Sequence, residues 1–194
     1  MKHGCMVNAL RLISSRRSEI RPIHRGRKER IMFATNPCWS FFDIQGTVHK
    51  EFVPPGQTVN GKFYCEVLKR LREGIRRKLP DKWKNKNWLL HHYNAPAHTS
   101  LVVRQFLTSK NITVISNSPC SPGLAPCDFF LFPKMKVRLK GRHFDTTEEI
   151  HAESQEIIDT LIFENFQGCM KSWETRWYRC IHAQGDYFEG NGGN

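Results

Sequence analysis

The spacing of apolar residues divides the middle of the chain into a hairpin followed by a helix. An apolar run at residues 39–42, a turn at 43–46 and a β-branched stretch at 47–53 together predict a β-hairpin. A helix is predicted next, because Asn60 is a favourable N-cap and the apolar residues after it recur at helical spacing. Those apolar residues are Tyr64, Val67, Leu68, Leu71 and Ile75.

The second half of the chain begins with a strand, a helix and another strand. A buried strand at 88–92, a helix at 96–109 and a strand at 112–115 predict a parallel βαβ unit with a right-handed crossover. Residues 118–126 are rich in Pro, Ser and Gly and predict a loop. Asp128 then stands at the entry to an aromatic helix, where one interpretation of its role is that of an N-cap.

Two further helices are predicted near the end of the chain. The first is capped by Thr146, the second spans about 163–182, and residues 185–194 are predicted to be a frayed end. The order of elements is that of an α/β domain, a mixed sheet flanked by helices. This order fits an RNase H-like fold, and the pattern alone leaves a short doubly wound α/β domain open.

The first 35 residues or so lack sustained periodicity and carry much of the positive charge. The 194-residue chain has 30 Lys and Arg against 18 Asp and Glu, a net charge of +12, and residues 1–30 hold nine basic and two acidic side chains. We therefore predict a disordered or weakly helical basic arm at 1–38 before a folded domain at 39–192. A polyanion is the expected partner, because each phosphate that the protein neutralises releases counterions. A solvated tail without a ligand is the alternative.

Composition also excludes several classes of protein. No apolar run approaches the length of a membrane span, and the N-terminus lacks the pattern of a secretory signal. The seven cysteines form no CxxC pair, which argues against a zinc knuckle and gives a disulfide framework no support. Reduced thiols in the cytosol or nucleus are expected.

Four ordered motifs are more specific than periodicity. They are Phe-Val-Pro-Pro-Gly-Gln-Thr-Val-Asn at 52–60, His-His-Tyr-Asn-Ala-Pro-Ala-His-Thr at 91–99, Ser-Pro-Gly-Leu-Ala-Pro-Cys-Asp-Phe-Phe-Leu-Phe-Pro at 121–133, and Gly-Asp-Tyr-Phe-Glu at 185–189. Together they resemble the catalytic domain of mariner-type transposases over about residues 41–192. A mariner domain also occurs behind a SET domain in fusion proteins, but nothing in this chain resembles a SET domain.

The resemblance implies an RNase H-like nuclease that cuts and joins DNA with three aspartates holding two Mg²⁺ ions. In the family, the second and third aspartates are separated by 34 residues, and the matching positions here are Tyr93 and Asp128. A neutral phenol cannot replace a carboxylate as a magnesium ligand. Position 123, where the family usually has an aspartate, is Gly123.

The first aspartate of the family lies in a Thr-Gly-Asp-Glu stretch on the first strand, and residues 1–40 contain no such stretch. Asp43 matches a turn residue instead. We therefore predict that the first strand is missing, or substituted by residues 31–34. With Asp128 as the one remaining metal-binding aspartate, we expect no productive binding of Mg²⁺ and no strand cleavage.

Three functions remain open on the sequence. The first is a transposase-derived domain that binds DNA non-specifically, with phosphate contacts from the polar face of the helix after Asn60. The candidate contacts are Lys62, Lys69, Arg70, Arg76, Arg77 and Lys78, for which a solvated helix face is the alternative. The second is an active metal-dependent DNA endonuclease that uses Asp128 with unusual ligands. The third is a non-enzymatic module that forms a homodimer.

Two further groups of side chains have a functional and a structural interpretation. His91, His92 and His98 could bind a metal, but their spacing fits no common zinc pattern and favours strand-end and cap positions. Aromatic residues of the last helix could stack on bases, but their helical spacing favours the core. The latter are Phe166, Trp173 and Trp177.

Overall fold

The described residues form a mixed sheet with helices on both of its faces. The computed structural model describes residues 5–11, 38–54, 56–117, 122–140, 142, 144 and 146–182. The strands are β1 (Cys5–Arg11), β2 (Cys38–Asp43), β3 (Gly46–Phe52), β4 (Trp88–His92) and β5 (Val114–Ser116). The α-helices are α1 (Gly61–Lys78), α2 (Pro80–Lys84), α3 (Pro96–Thr99), α4 (Leu101–Ser109), α5 (Phe132–Leu139), α6 (Thr147–Asp159) and α7 (Phe163–His182).

The strands lie in the order β3-β2-β1-β4-β5. Strand β1 is antiparallel to β2 and parallel to β4, and β4 is parallel to β5. The predicted hairpin is β2–β3, and the predicted βαβ unit is β4 and β5 with α3 and α4 between them. The mixed sheet and the parallel crossover expected from the sequence are both confirmed.

Strand β1 corrects the expectation for the N-terminal arm. It lies in the centre of the sheet, with Asn8 opposite Phe42 of β2 and opposite His91 of β4. The central strand is therefore present, and the alternative of a gap in the sheet is wrong. The substitute expected at residues 31–34 lies outside the described residues. Residues 5–10 contain no charged side chain, which suits a central strand. The prediction of a basic arm followed from the charge of the whole segment 1–30, in which these six residues are a short uncharged stretch.

Large side chains of β2 alternate between the two faces of the sheet. Trp39 and Phe41 belong to the core that α1 and α4 cover, and Phe42 belongs to the core under α5, α6 and α7. All three are fully buried. This alternation is the period-two pattern of a strand that is covered on both faces, so the sheet is the middle of three layers.

The helix ends follow local chemistry. Asn60 caps α1, since its Oδ1 accepts a hydrogen bond from the Phe63 amide at 3.0 Å. Thr146 caps α6 in the same way, with its Oγ1 3.2 Å from the Glu149 amide. Each cap contributes about 1 kcal/mol. The helix expected at 96–109 is divided in two at Ser100, whose extended backbone ends α3 and begins α4.

In the part of the chain that the structure describes, no helix is both long and apolar enough to cross a membrane.

Candidate functional site

Tyr93 and Asp128 meet beside the carboxyl end of β4. Tyr93 directly follows the strand, and Asp128 lies in a π-helical turn, Cys127–Leu131, that leads into α5. The Tyr93 hydroxyl is buried, and it is close enough to the Asp128 carboxyl to lower the pKa of Asp128. The two groups are near each other but do not form a hydrogen bond of ordinary distance and angle, since the Tyr93 hydroxyl has no such partner among the described residues.

The pKa values of both members of this pair are raised. Burial raises the pKa of Tyr93 far above its usual value, and the negative charge of Asp128 raises it further. Burial also raises the pKa of Asp128, while Tyr93 and the charge of Lys136 act in the opposite direction. A phenol that holds its proton this firmly is a poor nucleophile and a poor metal ligand.

The side chains at this edge of the sheet do not fit a pair of Mg²⁺ ions. Strand β1, the parallel neighbour of β4, contains no Asp or Glu in Cys5–Arg11. Tyr93 stands where β4 would have to provide a carboxylate. Across the described residues, no group of three or more His, Cys, Asp or Glu is arranged to hold a metal ion. Two octahedral ions need several hard oxygen ligands between them, and Asp128 alone cannot supply them.

The interpretation of Asp128 as an N-cap is wrong. The N-cap of the π-helical turn is Pro126, and Asp128 is the second residue inside the turn. The backbone bends into the turn early, with the Asp128 amide donating to the Ala125 carbonyl at 2.8 Å. A carboxylate in the first turn of a helix still interacts favourably with the helix dipole.

Helix α7 fixes the loop that leads to Asp128. The Trp173 Nε1 donates to the Leu124 carbonyl at 2.6 Å, and the Arg176 Nη1 donates to the Gly123 carbonyl at 3.3 Å. The Arg176 guanidinium also lies 4.3 Å from the centre of the Phe129 ring. Side chains from one helix thus hold residues on both sides of Asp128, including Gly123.

The three histidines are structural. His91 donates from Nδ1 to the Ile115 carbonyl at 3.2 Å, and His98 donates from Nδ1 to the Tyr93 carbonyl at 2.9 Å. His92 Nδ1 lies 2.8 Å from the Tyr64 hydroxyl. All three rings are buried, and burial together with His98 and His91 lowers the pKa of His92 to about 3. These contacts favour strand-end and core positions over metal binding.

Two of the three aromatic candidates for base stacking lie in the core. Phe166 and Trp173 are each 3% exposed, which leaves no face for a nucleotide base. Trp177 is half-buried and packs edge-on against Trp173, with ring centres 6.1 Å apart. For Phe166 and Trp173 the structure favours the core interpretation.

Three of the six basic candidates on α1 are held in ion pairs. Lys69 pairs with Glu66 at 2.7 Å, Arg76 pairs with Glu73 at 2.8 Å, and Arg70 pairs with Glu51 of β3 through two nitrogen atoms. Lys78 instead donates to the Thr47 carbonyl at 3.0 Å. Lys62 and Arg77 are exposed. The cations of α1 are therefore largely engaged within the protein.

Sequence reasoning missed a second group of cations, which follows Asp128 on α5 and at the C-cap of that helix. Its members are exposed, and one of them influences the ionisation of Asp128. They are Lys134, Lys136, Arg138 and Lys140. The pattern that could have identified them is the absence of any acidic residue from 129 to 144.

The sequence is similar to mariner proteins. Residues 34–85 match the family model described as Transposase (partial DDE domain). The chain is 31% identical over 150 residues to the Mariner Mos1 transposase of Drosophila mauritiana, a match that covers 77% of this chain and 44% of that protein. It is 24% identical over 149 residues to the Histone-lysine N-methyltransferase SETMAR of Homo sapiens, covering 77% of this chain and 22% of that protein. The chain thus spans less than half the length of either relative.

Solved structures of Mos1 share the fold. The catalytic domain of Mos1 mariner transposase superposes with a TM-score of 0.78 at 27% identity, covering 95% of this chain and 84% of that one. The same domain with Raltegravir and Mg gives 0.78 at 27% identity, with coverage of 95% and 85%. A Mos1 paired-end complex with left transposon end gives 0.76 at 26% identity, with coverage of 95% and 56%. The RNase H-like fold expected from the sequence is therefore confirmed.

Proposed function

Because the chain is related to the catalytic domain of mariner-type transposases, we propose that it binds DNA without cleaving it. It is a transposase-type domain related to mariner cut-and-paste transposition. The proposal goes further in separating the two parts of that activity: contact with the DNA backbone is kept, and metal-dependent strand cleavage is lost.

The observation that carries the loss of cleavage is the set of side chains at the strand ends. Strand β1 offers no carboxylate, Tyr93 replaces one at the end of β4, and Asp128 is left with Tyr93 and Lys136 as its ionisable neighbours. Two-metal hydrolysis needs ions that activate the attacking oxygen and stabilise the leaving oxygen. Residues that cannot seat those ions cannot promote either step.

Two observations support DNA as the partner. The net charge of +12 favours association with a polyanion through counterion release. A solved relative with the same fold is a paired-end complex with a transposon end. Exposed cations on α1 (Lys62, Arg77) and on α5 are the candidate phosphate contacts. Contacts of this kind position a protein on DNA without reading its sequence, so we expect little sequence preference.

A plasmid assay tests the loss of cleavage. Purified protein is incubated with supercoiled plasmid and Mg²⁺ or Mn²⁺, and the nicked and linear forms are separated on a gel. We expect the plasmid to stay supercoiled. Nicking by the wild type that Asp128→Ala abolishes would show instead that the chain is an active endonuclease using Asp128.

A gel-shift assay with duplex DNA tests the retained binding. We expect a shift at 50 mM salt that weakens steeply by 200 mM, because each neutralised phosphate adds to the salt dependence. Absence of a shift at 50 mM salt would contradict the proposal. Light scattering on the same samples measures whether the protein is a homodimer, which is a prediction from the sequence alone.

The same proposal places the protein in the nucleus, where a DNA partner is available. Fluorescence microscopy of the tagged chain is the direct test, and exclusion of the tagged chain from the nucleus would contradict this part of the proposal.

A further inference from the structure

Helix α5 and its C-cap carry four exposed cations on their outer surface. Its inner side is fixed in the core by Met135 and Leu139, which are 3% and 2% exposed. The cations are Lys134, Lys136, Arg138 and Lys140. Residues four apart lie on the same side of a helix, so Lys134 stands with Arg138 on one flank of α5. Lys136 lies on the other flank, and Lys140 follows as the C-cap, where the backbone is extended. Val137, 75% exposed, lies between the two flanks.

The described part of the chain compensates these four charges only in part, through the Asp128 carboxyl near Lys136. None of them forms one of the ion pairs found there, and Lys134 contacts an aromatic ring instead, 5.4 Å from the centre of Phe130. Glu153 of α6 forms its ion pair with Arg142 and with none of these four cations. Like charges four residues apart destabilise a helix, and Lys134 and Arg138 form such a pair within α5.

Helix α1 shows the opposite arrangement. Its sequence contains seven Lys and Arg, and Glu66, Glu73 and Glu51 each hold one of them in an ion pair. On α5 the positive charge is left for an anion from outside the protein.

The cations of α5 lie at the same edge of the molecule as the pair of Tyr93 and Asp128. Asp128 is in the π-helical turn that runs directly into α5. Lys136 is close enough to lower the pKa of the Asp128 carboxyl. A polyanion bound along α5 would therefore pass the ends of the strands.

The surroundings of α5 distinguish between classes of anionic partner. A membrane surface selects an amphipathic helix with a free apolar face, and the apolar face of α5 is buried in the core. A duplex presents about one negative charge every 1.7 Å along its axis. Lys134 and Arg138 are about 6 Å apart along the axis of α5, so both can meet phosphates of one polymer at the same time.

We infer that α5 is the surface that binds the phosphate backbone of a DNA duplex, through Lys134, Arg138, Lys136 and Lys140. The inference deepens the proposed function and rests on it. It assigns the main contact to α5, whereas the sequence pattern pointed to α1.

Fluorescence anisotropy of the full chain with a labelled 30-base-pair duplex tests this assignment at several salt concentrations. Three double variants each remove two positive charges: K134Q/R138Q, K136Q/K140Q and K62Q/R77Q. The third is the matched control, since its two cations are exposed on α1. Gln is a good helix former and relieves the repulsion on α5, so the melting temperatures of the first two variants should not fall.

We expect each α5 variant to raise the Kd on the order of tenfold and to reduce the salt slope by about 1.8, since each lost phosphate contact removes roughly 0.9. The α1 variant should change both quantities by less than half as much. Equal losses in all three variants would show an effect of net charge alone and overturn the assignment. Wild-type affinity in the α5 variants would overturn it as well.

Two further outcomes separate this inference from the proposed function. If unlabelled duplex RNA displaces the probe better than duplex DNA does, the assignment of α5 to DNA is overturned. If the wild type binds no duplex at 50 mM salt, the proposed function fails and the inference fails with it. If the wild type binds and only K62Q/R77Q loses affinity, the proposed function stands and the inference alone is overturned.

Discussion

Glu51 connects the sheet to α1, and its substitution tests the electrostatic description of that helix. Arg70 contacts Glu51 through Nε at 2.7 Å and Nη2 at 2.8 Å, and the His49 ring nitrogen lies 2.8 Å from the same carboxylate. Burial alone would raise the pKa of Glu51. The hydrogen bonds and charges of Arg70 and His49 outweigh it and lower the pKa from 4.5 to about 2.

The size of the effect follows from this pKa. A change from 4.5 to about 2 would correspond to roughly 3 kcal/mol if it counted in full. The Arg70 side chain is 48% exposed, so solvent screens the pair and we expect Glu51→Gln to cost about 1–2 kcal/mol at pH 7. The folded state holds the carboxylate ionised to lower pH than the unfolded state does. The contribution is therefore complete above about pH 4.5, falls as the pH decreases towards 2, and is absent below it.

Urea unfolding of the wild type and Glu51→Gln at pH 7, 5 and 3.5 measures this difference. Glu66→Gln is the matched control, since Glu66 and Lys69 form an ion pair that is more than half exposed on both sides. We expect the control to change the free energy of unfolding by less than about 0.5 kcal/mol. A Glu51→Gln effect no larger than that of the control, or one that stays constant from pH 7 to 3.5, would refute the reasoning.

Two further predictions concern packing and the vestigial site. Gly61→Ala should destabilise by about 1–3 kcal/mol despite the better helix propensity of Ala, because its Cβ would press on Ser100 and lie 2.8 Å from Val102 Cγ1. Gly168→Ala should stabilise the protein by up to about 1 kcal/mol, because among the described residues no atom outside α7 lies within 4 Å of the added Cβ. Thermal melting of the two variants measures the difference, and equal changes in melting temperature would contradict the packing argument. Asp128→Asn should raise the urea midpoint at pH 7, because burial disfavours the ionised carboxyl there; a lower midpoint would show that the charge is stabilising.

Elements fixed by neighbouring residues could be predicted from the sequence. The hairpin of β2 and β3, the caps at Asn60 and Thr146, and the strand–helix–strand order around β4 all depend on chemistry within a few positions. The resemblance implied that positions 93 and 128 belong to one site, and the structure brings Tyr93 and Asp128 together.

Features that depend on distant partners could not be predicted. Strand β1 lies in the sheet because β2 and β4 pair with it on either side. The seven residues of β1 stand in a basic segment, and their own sequence does not reveal these distant partners. The pairing of Arg70 with Glu51 joins a helix to a strand, so the polar face of α1 gave no sign that its charge is compensated. The predicted helix at 96–109 is divided at Ser100 because the backbone of that residue is extended. Ser100 is not one of the apolar residues from which the helix was predicted, so their spacing gave no sign of the break.

The position of β1 also has a consequence for how the domain assembles. The hairpin of β2 and β3 and the pair of β4 and β5 can each form from contacts that are local in sequence, yet neither shares a backbone hydrogen bond with the other. Within the sheet they are joined through β1, which ends at Arg11 and pairs with a strand that begins at Trp88. Such a distant pairing slows folding, and until it is made both halves expose an open strand edge. The newly synthesised chain therefore passes through a stage in which self-association competes with completion of the sheet.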